Sequence, residues 1–66
     1  MSEDGRHERA VAQSCRFAQE AADIRDFDEA LAWLVTVERV DGPLSAEWAG
    51  KRSRWAVAAA RQRVQP

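Results

Sequence analysis

The sequence is poor in the residues that make disulfides, metal sites and membrane spans. Its 66 residues include one cysteine, Cys15, and one histidine, His7. A disulfide within the chain is excluded, and a structural zinc site would lack most of its cysteine and histidine ligands. The longest mainly apolar run, residues 30–37, is much shorter than the roughly 20 residues that span a bilayer. We therefore expect no metal, no cofactor and no membrane segment.

The start of the chain also lacks the basic and then apolar order of a secretory signal, because Glu3 and Asp4 come first. A cytoplasmic location is expected. Apolar residues make up 45% of the chain and charged residues 32%, a balance typical of a folded protein rather than a disordered one. We expect one small domain over residues 1–66. A domain of this size buries only about 60% of its unfolded surface, so a partner would add stability.

Turn-forming residues are also scarce, with three glycines and two prolines, whereas alanine, arginine, glutamate and glutamine are abundant helix formers. Turn signals cluster only at residues 23–26 and 41–45. Two turns predict three helices. The expected fold is therefore all-α, either a three-helix bundle or a helical hairpin with a third helix packed across it.

Apolar spacing and capping residues define the first helix and the start of the second. The first helix is expected from about residue 5 to 22, with Ser2 or Asp4 as its N-cap. Asp26 is expected to cap the second helix, and Glu29 would complete a capping box with it. The predicted core side of the first helix comprises Val11, Cys15, Ala18 and Ala22, with Ala10, Phe17, Ala21 and Ile24 beside them.

The second helix is expected to end at Asp41, because Gly42 can adopt a left-handed conformation and Pro43 cannot continue a helix. Ser45 is expected to cap the third helix, which would extend to about residue 63. A helical projection gives the second helix a wide apolar arc, which makes it the centre of the predicted core. That arc comprises Phe27, Ala30, Leu31, Trp33, Leu34, Val37 and Val40.

The segment at residues 26–33, between a helix of small side chains and a Gly-Pro turn, resembles the second helix of a tetratricopeptide-type hairpin. In that family an aromatic residue and an alanine three positions apart lock two paired helices, and a proline ends the repeat. Phe27, Ala30 and Pro43 match those positions, whereas Arg52 stands where a following helix would have a small residue. The resemblance implies a hairpin packing and a preference for peptide or protein partners, and it names no catalytic residue.

Charge divides unevenly along the chain although the net charge is only −1. Residues 1–43 carry ten acidic against five basic side chains, and residues 44–66 carry one acidic against five basic side chains. This division either packs acidic helices against a basic one or presents a basic face to an acidic partner. The second possibility gives nucleic-acid binding by the third helix as the alternative function, although the acidic pI of about 5.7 counts against it. Its contacts would be Lys51, Arg52, Arg54 and Arg61.

The preferred hypothesis is a non-catalytic protein-interaction or regulatory module that acts through a helical surface, either as a homodimer or on another protein. Three tryptophans are more aromatic bulk than so small a core easily covers. Trp33, Trp48, Trp55 and Arg52 are therefore the candidate contacts to a protein partner. Glu38 and Arg52 interrupt apolar arcs, and three alternatives stay open for them. They form an ion pair, or Arg52 stacks between Trp48 and Trp55 at an uncovered site, or both are simply solvated.

No group of residues indicates catalysis. Cys15 would need a base to act as a nucleophile, and His7 lies eight residues away, about 12 Å along one helix. Cys15 is expected instead to line the apolar side of the first helix, and His7 to be exposed and solvated. The acidic residues between 23 and 29 are expected to serve as turn and cap residues. We therefore expect that the chain is not an enzyme.

Overall fold

Three helices joined by two short turns make up the computed structural model, which describes the backbone of residues 2–64 and the side chains of residues 5–64. Helix α1 spans Ser2–Asp23, α2 spans Phe27–Asp41 and α3 spans Ala46–Val64. No strand occurs among these residues, so the expected all-α, three-helix architecture is confirmed. The N-cap role expected of Ser2 or Asp4 concerns side chains outside the described residues.

The turn between α1 and α2 is a Schellman motif with an arginine in the position that glycine usually occupies. The Arg25 N–H donates to the carbonyl of Ala22 at 2.9 Å, and the Asp26 N–H donates to that of Ala21 at 2.8 Å. These are the two bonds that define the motif. Arg25 has a φ of 67°, a conformation that costs a residue with a side chain about 1–2 kcal/mol. The turn itself was predicted, but its left-handed residue was not, because no glycine marks it.

The two ends of α2 lie where the capping signals placed them. The Asp26 carboxylate accepts the N–H of Glu29 at 3.4 Å. The other half of the predicted capping box is wrong, because the Asp26 N–H is already bonded in the Schellman motif. At the far end, after Asp41, the Gly42 N–H donates to the carbonyl of Glu38 at 2.9 Å. Gly42 has φ 86° and ψ −155°, which is not the predicted left-handed helical region but is a region essentially restricted to glycine.

Helix α3 begins with the predicted cap. The Ser45 hydroxyl accepts the N–H of Trp48 at 3.4 Å, and the Ser45 carbonyl accepts the N–H of Ala49 at 2.8 Å. Leu44, immediately before the cap, packs against the core. The cap therefore fixes the point at which the chain turns back along α2.

Side-chain contacts set the direction of each helix. His7 on α1 lies 2.8 Å from the Asp41 carboxylate at the end of α2, so the two helices form an antiparallel hairpin whose open end is at this pair. Helix α3 runs antiparallel to α2, as two ion pairs at opposite ends of α2 show. These pairs join Arg52 to Glu38 at 2.8 Å and Arg63 to Asp28 at 3.1 Å.

The core is built mainly from alanine. Ala18 and Ala30 have no exposed surface, and Leu34 is the largest side chain that is fully buried. Because these contacts are small, α1 and α2 approach each other most closely. Helix α3 reaches the same cluster through Trp55, which is 8% exposed. Phe27 packs on this cluster beside Ala30, the arrangement that the tetratricopeptide-type resemblance implies.

Four positions that were assigned to the core or its border lie at the surface instead. Ile24 is 76% exposed, Val40 42% and Phe17 40%, and Ala10 is also exposed. Ser14, which was not assigned to the core, is buried. The physical reason is that α3 covers only one edge of the hairpin. Among the described residues, no further helix packs over the apolar side chains along the other edge.

We expect Arg25→Gly to raise the free energy of unfolding by about 0.5–1 kcal/mol, since glycine adopts positive φ without the steric penalty. Urea denaturation followed by circular dichroism measures this change. Arg16→Gly is the matched control, because Arg16 is exposed in the middle of α1 and the same substitution should lower stability there by about 1 kcal/mol. A loss of stability in both variants would show that the turn does not need a left-handed residue.

Candidate functional site

One edge of the hairpin is occupied by α3 through polar contacts. On α1, the Gln19 side-chain carbonyl accepts a hydrogen bond from the Lys51 ammonium at 2.7 Å. On α2, Glu38 pairs with Arg52. Helix α3 therefore already covers this edge of the hairpin, and a candidate surface for a partner lies elsewhere.

The opposite edge carries an exposed line of apolar side chains. The rings of Phe17 and Trp33 meet there, with centroids 4.9 Å apart and planes inclined by 45°. Three further apolar residues lie seven positions from these two: Ala10 in α1, Ile24 immediately after its last residue, and Val40 in α2. Seven residues are close to two helical turns, so each set lies along one line of its helix or of the residue that follows it. We call these five residues the hairpin stripe: Ala10, Phe17, Ile24, Trp33 and Val40.

Charged side chains flank the hairpin stripe with opposite signs at its two ends. Arg6 and Arg9 are exposed near the open end of the hairpin, and Glu20 and Glu29 are exposed near the turn. Glu20 is held only by a 3.5 Å contact with Arg16 one turn away, and both side chains are more than half exposed. A contact of this kind contributes little, so Glu20 is free to pair elsewhere.

The four predicted partner contacts do not form one surface. Trp33 lies in the hairpin stripe and is half-buried against Phe17. Trp55 is buried in the core and offers no indole surface to a partner. Trp48 is half-buried, with its ring edge-on to Trp55 at 6.2 Å between centroids. Sequence reasoning missed Phe17 as a surface residue, although its seven-residue spacing from positions 10 and 24 was a usable signal.

The alternatives for Arg52 are resolved by its contacts. Arg52 donates to the Glu38 carboxylate at 2.8 Å, so the predicted ion pair is confirmed. The pair is partly exposed rather than buried, with 45% of the Arg52 side chain and 36% of the Glu38 side chain accessible. The stack of Arg52 between two tryptophans is wrong, because the cation over Trp48 is Lys51, 4.3 Å from the ring centroid.

The four predicted nucleic-acid contacts are also divided. Lys51 is engaged by Gln19 and Trp48, and Arg52 by Glu38. Arg54 and Arg61 are exposed one heptad apart on α3. They line a cleft together with Arg25 from the α1–α2 turn, which sequence reasoning did not associate with them. The basic residues of α3 therefore do not act as one patch.

Cys15 and His7 both lie near Asp41. His7 contacts the Asp41 carboxylate at 2.8 Å, and its side chain is 41% exposed, so the ring is partly solvated as expected and also has a partner. Burial raises the pKa of the half-buried Cys15 thiol; the Asp41 and Glu47 carboxylates also raise it, and the Lys51 ammonium opposes them. A raised pKa keeps the thiol protonated at neutral pH, which makes it a weak nucleophile.

Over the part of the chain that the structure describes, no group of three or more His, Cys, Asp and Glu side chains is placed to hold a metal ion. Nor does any described helix have the length and apolar character needed to cross a membrane. Comparisons with protein-family models, curated proteins and solved structures found no match for this chain. The tetratricopeptide-type resemblance therefore stays a similarity of local sequence and packing.

Two tryptophan truncations should separate core from surface. Trp55→Ala is expected to remove about 3–5 kcal/mol of stability, which is most of what a core of this size provides. Trp33→Ala should cost only about 1–2 kcal/mol, because Trp33 lies at the border of the core and is less buried than Trp55. Circular dichroism should show large loss of helix for the first variant and a folded chain for the second. Equal losses would mean that Trp33 is as much a core residue as Trp55.

Proposed function

We propose that the chain is a non-catalytic interaction module that pairs with a second copy of itself through the hairpin stripe. The observation that carries this proposal is the contact between Phe17 and Trp33, two aromatic rings that meet at the surface. Aromatic side chains surrounded by smaller contacts provide most of the binding energy at protein interfaces. Ile24 and Val40, both exposed, extend the apolar surface to either side of the pair. A cytoplasmic location belongs to the same proposal.

The exposed surface area of the chain is larger than that of a compact monomer of the same mass, which favours a partner that covers part of it. The chain exposes 4970 Å², whereas a compact monomer of 7.4 kDa exposes about 4,200 Å². The excess of about 800 Å² is close to the area that each partner buries in a standard interface. Its origin is the elongated shape, 50 Å long and 20 by 16 Å across. Pairing along the hairpin would bury part of this excess.

The charges that flank the hairpin stripe favour one symmetry. A twofold axis perpendicular to the helices would lay α1 antiparallel on α1 of the partner subunit. We place the axis at the level of Trp33, near the middle of the hairpin stripe. This level lies midway between positions 9 and 20 of α1, so Arg9 would face Glu20 of the partner subunit. An axis along the helices would instead lay α1 on α2 and bring Glu20 opposite Glu29, where like charges repel. We therefore propose the antiparallel arrangement.

Two further observations support this proposal over its rivals. Burial and the Asp41 and Glu47 carboxylates raise the pKa of the Cys15 thiol, which counts against its acting as a nucleophile. Nucleic-acid binding by α3 is less favoured, because the contacts of Lys51 and Arg52 within the chain would have to be exchanged for contacts with phosphate.

Phe17→Glu is expected to weaken dimerisation without unfolding the chain. Phe17 is 40% exposed in the monomer and is not part of the buried core cluster, but close to the twofold axis the new carboxylate would lie against the apolar stripe of the partner subunit. Sedimentation velocity over a range of concentrations should show a dimer for the unchanged chain and at least a tenfold higher dissociation constant for the variant. Val64→Glu is the matched control, since Val64 is 82% exposed on α3 and should dimerise normally.

Two results would contradict this interface. The unchanged chain could sediment as a monomer at every concentration, which would remove self-association altogether. Alternatively, Val64→Glu could prevent dimerisation and Phe17→Glu leave it intact, which would move the interface to the exposed end of α3.

A charge exchange tests the antiparallel arrangement. Arg9→Glu and Glu20→Arg should each weaken the dimer by about threefold to tenfold, because each creates two like-charge contacts across the twofold axis. The double variant Arg9→Glu/Glu20→Arg should restore the original dissociation constant within about twofold. In the other symmetry Glu20→Arg alone would strengthen the dimer, by relieving the repulsion from Glu29. Dissociation constants at low salt distinguish the two arrangements.

A further inference from the structure

A cleft between the α1–α2 turn and α3 has three arginines among its lining residues. Arg25 comes from the turn and Arg54 and Arg61 from α3, where the Arg54 guanidinium lies beside Gly50 one turn back along the helix. The cleft has a volume of about 280 Å³. It is held in shape by Gln62, whose side-chain amide donates to the Arg25 carbonyl at 2.9 Å. The position of the turn relative to α3 is therefore fixed by a hydrogen bond and not by apolar packing alone.

The three arginines carry charge that the described part of the chain does not neutralise. The ion pairs found there involve His7, Arg16, Arg52 and Arg63, and none involves the arginines of the cleft. The carboxylate of Asp28, at the start of α2, is occupied by Arg63 at 3.1 Å. Like charges gathered around one small cleft repel each other, and a bound anion would remove that repulsion.

The backbone of Arg25 gives a second, independent indication. Its φ of 67° is unfavourable for any residue with a side chain. Glycine would form the same Schellman motif at lower cost, and the hydrogen bond from Gln62 needs only the backbone carbonyl. A side chain kept at a strained position indicates a use for that side chain, and Arg25 is one of the residues that line the cleft.

We propose that this cleft binds a compact phosphate-bearing anion, with Arg25, Arg54 and Arg61 as its ligands. Guanidinium groups bind phosphate oxygens through paired, charge-assisted hydrogen bonds. A short ligand fits better than a nucleic-acid strand, because the cleft has a volume of only about 280 Å³. This proposal is independent of dimerisation, since the cleft lies on the α3 side of the hairpin.

Calorimetric titration of the full chain with tripolyphosphate at low salt tests the cleft. One binding site per chain is expected. The double variant Arg54→Gln/Arg61→Gln should lower the affinity at least tenfold. The matched control is Arg16→Gln/Arg39→Gln, which changes the net charge equally at two exposed positions outside the cleft and should lower the affinity less than twofold.

Arg25→Gly separates binding from folding. It removes one proposed ligand from a turn that it should stabilise, so a weaker affinity in this variant cannot be attributed to unfolding. Three results would overturn the proposal: no binding of tripolyphosphate by the unchanged chain, equal losses in the cleft and control variants, or unchanged affinity in Arg25→Gly. Tighter binding of a short single-stranded DNA that depends on the same arginines would instead assign the cleft to a nucleic-acid partner.

Discussion

The close contact between α1 and α2 is the constraint on which the rest of this small fold depends. Ala18 and Ala30 are completely buried where the two helices meet, and no larger side chain would leave the backbones so near each other. Alanine loses almost no side-chain entropy on burial, so this contact is formed at low entropic cost. It also buries little area, however, and a hairpin of alanines alone would be marginal. The stability of the fold therefore depends on what is added beside the hairpin.

Trp55 adds buried area by packing α3 on the hairpin, and its size explains why only one edge of the hairpin is covered. The Trp55 indole packs in a cluster with residues of both helices of the hairpin. Helix α3 therefore lies over one edge and packs less closely on the hairpin than α1 and α2 pack on each other. The ion pairs of Arg52 and Arg63 then fix the direction of α3, but they are partly exposed and contribute modestly. One edge of the hairpin is thus covered by a helix held mainly by one side chain. The other edge, with Phe17 and Trp33, has no helix left to cover it.

This division explains which features the sequence could predict. The caps at Asp26 and Ser45 and the end of α2 at Gly42 depend on residues within one turn of each other, so local spacing was sufficient. The exposure of Ile24 and Val40 depends on where α3 packs, and a projection of one helix contains no information about its neighbours. The cleft was missed for the same reason. Its Arg25 is distant in sequence from α3 and becomes its neighbour only through the hydrogen bond from Gln62.

The basic residues of α3 fall into two groups with different roles in the folded chain. Part of the basic charge of α3 is used internally, where Arg52 and Arg63 hold the acidic helix α2. The remainder, at Arg54 and Arg61, lines a cleft with a further arginine of the turn, Arg25, and none of the three forms an ion pair among the described residues. The presence of a strained arginine indicates that this end of the molecule is arranged to receive negative charge from outside the chain.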